Sequence, residues 1–183
     1  MLRLTTLTSI LALSATALFA EEIKVGVSPG EHAEIMEEVA KVAAPMGLDI
    51  DVVEFSDYVI PNTALADGDI QANSFQHVPY LENQMKDRGF DLTVVGNTIT
   101  TPMGIYSDKI KDMADLADGA KVAIPNDPTN GGRALLLLQD LGLVTLTEGT
   151  GLVPSPLDVS DNPKNLEFLE LDAAQLPRTL ADA

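Results

Sequence analysis

Arg133 and Asn130, in the run PNDPTNGGRALLLLQ, are the residues whose type and spacing best suit the capture of an anion. Residues 121–124 (KVAI) read as a short β-branched strand stopped by Pro125. Asp127 suits a helix N-cap and Pro128 the first helical turn. Free backbone N–H groups gather at such a start, and the helix dipole favours negative charge there. Arg133 falls about one turn in, where its planar fork can hold a carboxylate through two hydrogen bonds. The competing reading is an ordinary loop with a solvent-facing arginine, because helix starts are common and only some bind anions.

A second group of residues carries rings. Tyr58 follows one predicted strand, and Phe75, His77 and Tyr80 follow the next within SFQHVPYL. Aromatic residues make up only 4% of the chain, so three in such loops stand out. A pocket built from them and from Arg133 is apolar and polarizable at one end and carboxylate-binding at the other. Sulfur meets aromatic edges favourably, by ~0.3–1.5 kcal/mol per contact, so the combination suits an amino acid with a thioether side chain. Core packing remains open for Tyr58, Phe75 and Tyr80. A structural, hydrogen-bonded role remains open for His77.

Bulk properties limit the classes. The 183 residues allow one domain or two small lobes, and a 45% hydrophobic content supplies a core. The formal charge of −17 argues against nucleic-acid binding through a basic face. With no cysteine, disulfides, thiolate metal sites and a cysteine nucleophile are excluded. His32 and His77 are the two histidines. Residues 1–20 read as a secretory signal peptide: Arg3, then an apolar run too short for a bilayer span that needs ~20 apolar residues. Arg3 is the only charged residue there, so cleavage before Glu21 takes the charge from −17 to −18. An exported, acidic, cysteine-free chain fits the bacterial periplasm.

The elements that must position these residues alternate between strand and helix. Strands are expected at 23–28, 48–55, 70–75 and 92–95, and helices at 31–44, 62–66 and 79–88. Ile35, Val39 and Val42 mark one face of the first helix. After a crossing segment near residue 100, strands are expected at 103–106, 121–124, 143–146 and 166–171. Helices are expected at 112–116, after Asp127 with Ala134, Leu137, Leu138 and Leu141 at helical spacing, and from 173 to 180. Repeated β–α units imply an α/β fold with parallel sheets and right-handed crossovers. Two successive sets predict two lobes, residues 21–100 and 101–183, with the strand ends facing one cleft.

IKVGV, FSDYVIPN, LADGDIQANSFQHVPYL, DRGFDLTVVGNT, VAIPNDPTNGGRALLLLQ, NPKNLEFLEL and AAQLPRTL together resemble the NlpA-type methionine-binding lipoproteins. The resemblance runs almost continuously from Ile23 to Asp182. It implies a two-lobed, type II periplasmic-binding-protein fold that closes on its ligand by hinge motion. It implies a receptor, not an enzyme, that delivers D- or L-methionine to the permease and ATPase of an ABC importer in the inner membrane. By the same resemblance Arg133 grips the ligand carboxylate and Tyr58, Phe75, His77 and Tyr80 surround the side chain. Asn130 joins them as the neighbour of Arg133. A monomer is expected, with no cofactor, metal or nucleic acid.

Two departures accompany the resemblance. The family's lipobox cysteine is missing, which predicts a soluble periplasmic protein. The sequence also stops after LEFLEL and AAQLPRTL, where family members continue with strands that complete the second lobe and add ligand contacts. A truncated, weakly binding or inert product is therefore an alternative. Another amino acid or a methionine-containing dipeptide is an alternative ligand. A periplasmic hydrolase using His77 with a nearby carboxylate is a further reading, but the sequence has no nucleophile elbow or HExxH motif.

Overall fold

A computed structural model describes residues 21–181. The predicted signal peptide lies outside the described residues. The first half runs β1 (Glu21–Val27), α1 (Glu31–Ala43), β2 (Leu48–Glu54), α2 (Ile60–Asp67), β3 (Ala72–Ser74) and α3 (Val78–Arg88). The strands form a parallel sheet in the order β2-β1-β3. β1 is central, with Val25 opposite Val52 on one side and Ala72 on the other. Val25, Gly26 and Val27 are buried in succession, as a strand covered on both faces requires.

α1 settles onto this sheet by a face other than the expected one. Ala33, Met36 and Ala43 are buried, while Val39 and Val42 are 42% and 66% exposed. Both stripes have helical spacing. The alanine stripe faces inward because small side chains let the helix lie close to the strands, where Val25, Val27, Ala33 and Met36 form one core.

The second half runs β4 (Lys121–Pro125), α4 (Pro128–Asp140), β5 (Thr145–Leu146), β6 (Val159–Asp161) and β7 (Glu167–Leu171). β4 and β7 are parallel, with Ile124 opposite Glu170, and β5 and β6 form an antiparallel pair. Pro125 ends β4 from within the strand rather than outside it, which is tolerable because β4 has a single neighbour among the described residues. α4 ends where Gly142 takes a positive φ of 71°. Its buried stripe is Gly131, Leu135 and Leu138, whereas Leu141 is 50% exposed. Four consecutive leucines look alike on every helical face, so only packing selects the phase. Ile124, Leu135, Leu138, Val144, Leu146 and Leu166 form a core separate from the first.

Two expected strands are not formed. Residues 92–95 and 103–106 have no strand structure. Among the described residues, none of 90–111 takes part in a backbone–backbone hydrogen bond. A strand exists only by pairing, and although the Ser74 hydroxyl of edge strand β3 lies 3.4 Å from the Thr98 hydroxyl, no backbone pairing forms there. The helix expected at 112–116 is one 3₁₀ turn, Met113–Asp115, capped by the Asp112 carboxylate. The helix expected from 173 is also 3₁₀, Ala173–Thr179, with Pro177 inside it; proline removes a donor that an α-helix would use. β6 was not expected, since its sequence VSD has no apolar alternation to reveal it. No helix among the described residues is long and apolar enough to cross a membrane.

Candidate ligand-binding site

The SFQH loop connects β3 to α3 and places its side chains by local hydrogen bonds. His77 is the N-cap of α3, and its Nδ1 accepts the Tyr80 backbone N–H at 3.0 Å. Pro79 sits in the first turn, where no N–H is needed. Gln76 pairs with the fully buried Asn62 through two reciprocal amide bonds of 2.7 and 2.8 Å, which anchors the loop between Phe75 and His77. Tyr58 follows β2 in a turn where the Asp57 carboxylate accepts the N–H groups of Val59 and Ile60.

Three rings then meet. The centroids of Tyr58 and Phe75, of Tyr58 and Tyr80, and of Phe75 and Tyr80 lie 5.9, 6.4 and 6.1 Å apart, tilted or edge-on. His77 stands edge-on to Tyr80 at 6.2 Å. Such geometry is favourable beyond the area it buries. Tyr80 is 3% exposed, and its hydroxyl donates to the Tyr58 carbonyl at 2.8 Å. Burial, aided by the Asp127 charge, pushes the Tyr80 hydroxyl up to about 12. Burial, with the Glu31 and Asp127 charges adding, also raises Tyr58. Both phenols are therefore held as neutral donors. The core-packing reading that the sequence left open holds for Tyr80 and Phe75, which are buried, while Tyr58 is half-buried.

The second wall is α4. The Asp127 carboxylate caps the helix by accepting the Asn130 N–H at 2.9 Å. Asn130 and Arg133 are three residues apart and so lie on one face. Arg133 Nη1 donates to Asn130 Oδ1 at 3.4 Å, and Nη2 donates to the Thr101 carbonyl at 3.3 Å. Of the five guanidinium N–H donors, two are thus engaged among the described residues. The two walls touch where His77 Nε2 lies 2.9 Å from Asn130 Oδ1. Both ring nitrogens of His77 are engaged, and neither meets a carboxylate, so the orienting partner needed for a hydrolytic base is not in place.

A cleft of about 190 Å³ opens beside this contact, with Tyr58 and Tyr80 on one side, Asn126 and Asp127 on the other, and Asp172 and Gln175 closing it. It borders the predicted residues without containing all of them: Phe75, His77, Asn130 and Arg133 lie outside its lining. Among the described residues, no group of histidines and carboxylates is arranged to hold a metal. The structure thus gathers all six residues singled out in the sequence, the rings through direct contacts and His77, Asn130 and Arg133 through hydrogen bonds. Sequence reasoning saw Asp127 only as a cap and missed its second oxygen, which accepts Asn130 Nδ2 at 3.0 Å. It also missed the Thr101 carbonyl. The spacing of three between Asp127 and Asn130 was the available signal for the former; for the latter there was none.

A family model described as NlpA lipoprotein matches residues 23–183. The chain belongs to the NlpA lipoprotein family. It is 57% identical over 162 residues to the D-methionine-binding lipoprotein MetQ of Escherichia coli strain K12, covering 88% of this chain and 60% of that protein. It is similar to the solved structure of a nutrient-binding protein from Burkholderia cenocepacia bound to methionine, with 50% identity and a TM-score of 0.84 over 88% of this chain and 68% of that one. It is also similar to an ABC transporter periplasmic substrate-binding protein from Coxiella burnetii, with 46% identity and a TM-score of 0.83 over 88% and 68% of the two chains. This NlpA-family chain spans about 60% of the length of the curated relatives it matches. Its α/β architecture is that of the periplasmic binding proteins, and these relatives are named for methionine, nutrient and substrate binding.

Proposed function

We propose that this NlpA-family chain binds methionine in the periplasm for delivery to the permease and ATPase of an ABC importer. The observation that carries the reading is the meeting of Arg133 and a ring-lined wall across the His77–Asn130 contact. In this reading Arg133 takes the ligand carboxylate, and Tyr58, Phe75, Tyr80 and His77 receive the thioether side chain, which suits the polarizable rings. Asn130 braces Arg133. The names of the relatives support the same ligand and the same transport role.

Residues 21–100 and 101–183 act as two lobes in this proposal. Their two separate cores support the division, and the cleft between Tyr58 and Asp127 is where closure would occur. Residues 1–20 direct export in this reading.

Calorimetric titration of the chain with D- and L-methionine tests the assignment. Heat is expected with at least one enantiomer. Arg133→Ala removes a charge-assisted contact worth ~1.5–3 kcal/mol, which corresponds to an affinity loss of about 10- to 150-fold. Binding that survives this substitution unchanged removes Arg133 from the site.

A further inference from the structure

We propose that Asp127 is a positioning residue of the site: one carboxylate oxygen caps α4, and the other sets the orientation of Asn130 and, through it, reinforces the His77 tautomer that the Tyr80 N–H also selects. The inference deepens the amino-acid-binding reading and rests on it for the ligand. It is carried by a row of hydrogen bonds whose direction is fixed at both ends. At one end the Tyr80 backbone N–H can only donate, and it donates to His77 Nδ1 at 3.0 Å. Nδ1 then carries no proton, and the neutral ring holds its proton on Nε2. Nε2 lies 2.9 Å from Asn130 Oδ1, which accepts.

At the other end the Asp127 carboxylate can only accept. Its Oδ2 takes Asn130 Nδ2–H at 3.0 Å, which turns the amide oxygen toward His77 and Arg133. The two ends demand the same arrangement. Turning the Asn130 amide over would set its oxygen against Asp127 Oδ2 and its NH2 group against His77 Nε2–H and the Arg133 guanidinium, breaking three bonds at once. Asp127 Oδ1 is occupied separately, accepting the Asn130 backbone N–H at 2.9 Å and the Thr129 hydroxyl at 2.8 Å. Capping and positioning are therefore tasks of different oxygens, and they can be separated by substitution.

Asp127→Asn and Asp127→Ser both keep a good capping residue. In Asp127→Asn an NH2 group replaces Oδ2, so Asn130 turns over and presents its own NH2 to His77. In Asp127→Ser the second oxygen is missing and the amide is released. Long-range ¹H–¹⁵N spectra of the His77 ring read the outcome without ligand. The wild-type chain is expected to show a protonated Nε2 and a bare Nδ1. The Asn variant is expected to lose that single-tautomer pattern and to bind methionine ~10- to 100-fold more weakly, with a ~2- to 10-fold loss for the Ser variant. A wild-type ring protonated on Nδ1, or a ring spectrum unchanged in Asp127→Asn, overturns the proposal. If the ring responds as stated but neither methionine enantiomer binds the wild-type chain, Asp127 keeps its positioning role and the amino-acid reading falls.

Discussion

Residues 121–140 and residues 90–111 both carry β-branched and apolar runs that read as strand, yet they reach opposite states. In the first, β4 pairs with β7, and α4 buries Leu135 and Leu138 to 0% and 2% exposure. In the second, Val95 and Tyr106 are 92% and 77% exposed, and the backbone makes no backbone–backbone hydrogen bond among the described residues. The difference lies in partners. β4 has a neighbouring strand 46 residues away, Lys121 opposite Glu167, and a helix that returns over it. Local β-propensity measures fit to a pleated, half-buried surface, and without that surface it decides nothing. Arg133 ties the two regions at one point, through the Thr101 carbonyl.

Hydrogen exchange gives the widest test of this contrast. Amides of Leu135 and Leu138 are expected to open only with the global transition, of order 5–15 kcal/mol, and those of residues 90–111 with almost no protection. Protected amides at 92–95 would abolish the distinction. Next in size is a pair of truncations. Leu135→Ala empties a site of 0% exposure and is expected to cost ~2–5 kcal/mol in urea unfolding. Val95→Ala is expected to stay within ~0.5 kcal/mol.

Glycines sharpen the comparison further. A Cβ at Gly132 would stand 2.6 Å from the Leu152 carbonyl oxygen and 2.8 Å from Val153 Cα, so α4 and the 149–154 loop must separate. Gly132→Ala is expected to cost ~1–3 kcal/mol. At Gly96 an added Cβ meets nothing within 4 Å, and Gly96→Ala is expected to stabilise by no more than ~1 kcal/mol.

The smallest effect concerns a contact made across sequence distance. Tyr80→Phe removes the bond from the hydroxyl to the Tyr58 carbonyl and is expected to cost ~0.5–1.5 kcal/mol near neutral pH. Because folding raises the Tyr80 pKa from 10.0 to about 12, its contribution is complete below pH 10 and is lost as pH rises toward 12. Urea midpoints across that window are expected to fall more steeply for the wild-type chain than for Tyr80→Phe. Parallel curves would place the ionisation elsewhere.

Much of the first half was legible. β1, α1, β2 and α3 fall within a few residues of their expected bounds because each is bracketed by local punctuation, such as Gly30, Gly47 and Gly89 at positive φ. The grouping of Tyr58, Phe75, His77 and Tyr80 followed from their places at strand ends. Packing faces were less legible. α1 carries two apolar stripes and α4 four consecutive leucines, so periodicity names a helix in each without naming its buried side. The strands expected at 92–95 and 103–106 failed for a related reason, since no residue within them reports whether an edge is available.

By itself the sequence determined the family, the alternation of strand and helix, and the residue types of the proposed site. Those depend on spacing, turn chemistry and side-chain identity, which are local. Only the tertiary structure decided which helical stripe is buried, which strands exist, and that Asp127, Asn130 and His77 form one directed row of hydrogen bonds from α4 to α3. Pairing and burial are relations between distant segments, and a donor finds its acceptor only when the fold has brought both to within 3 Å.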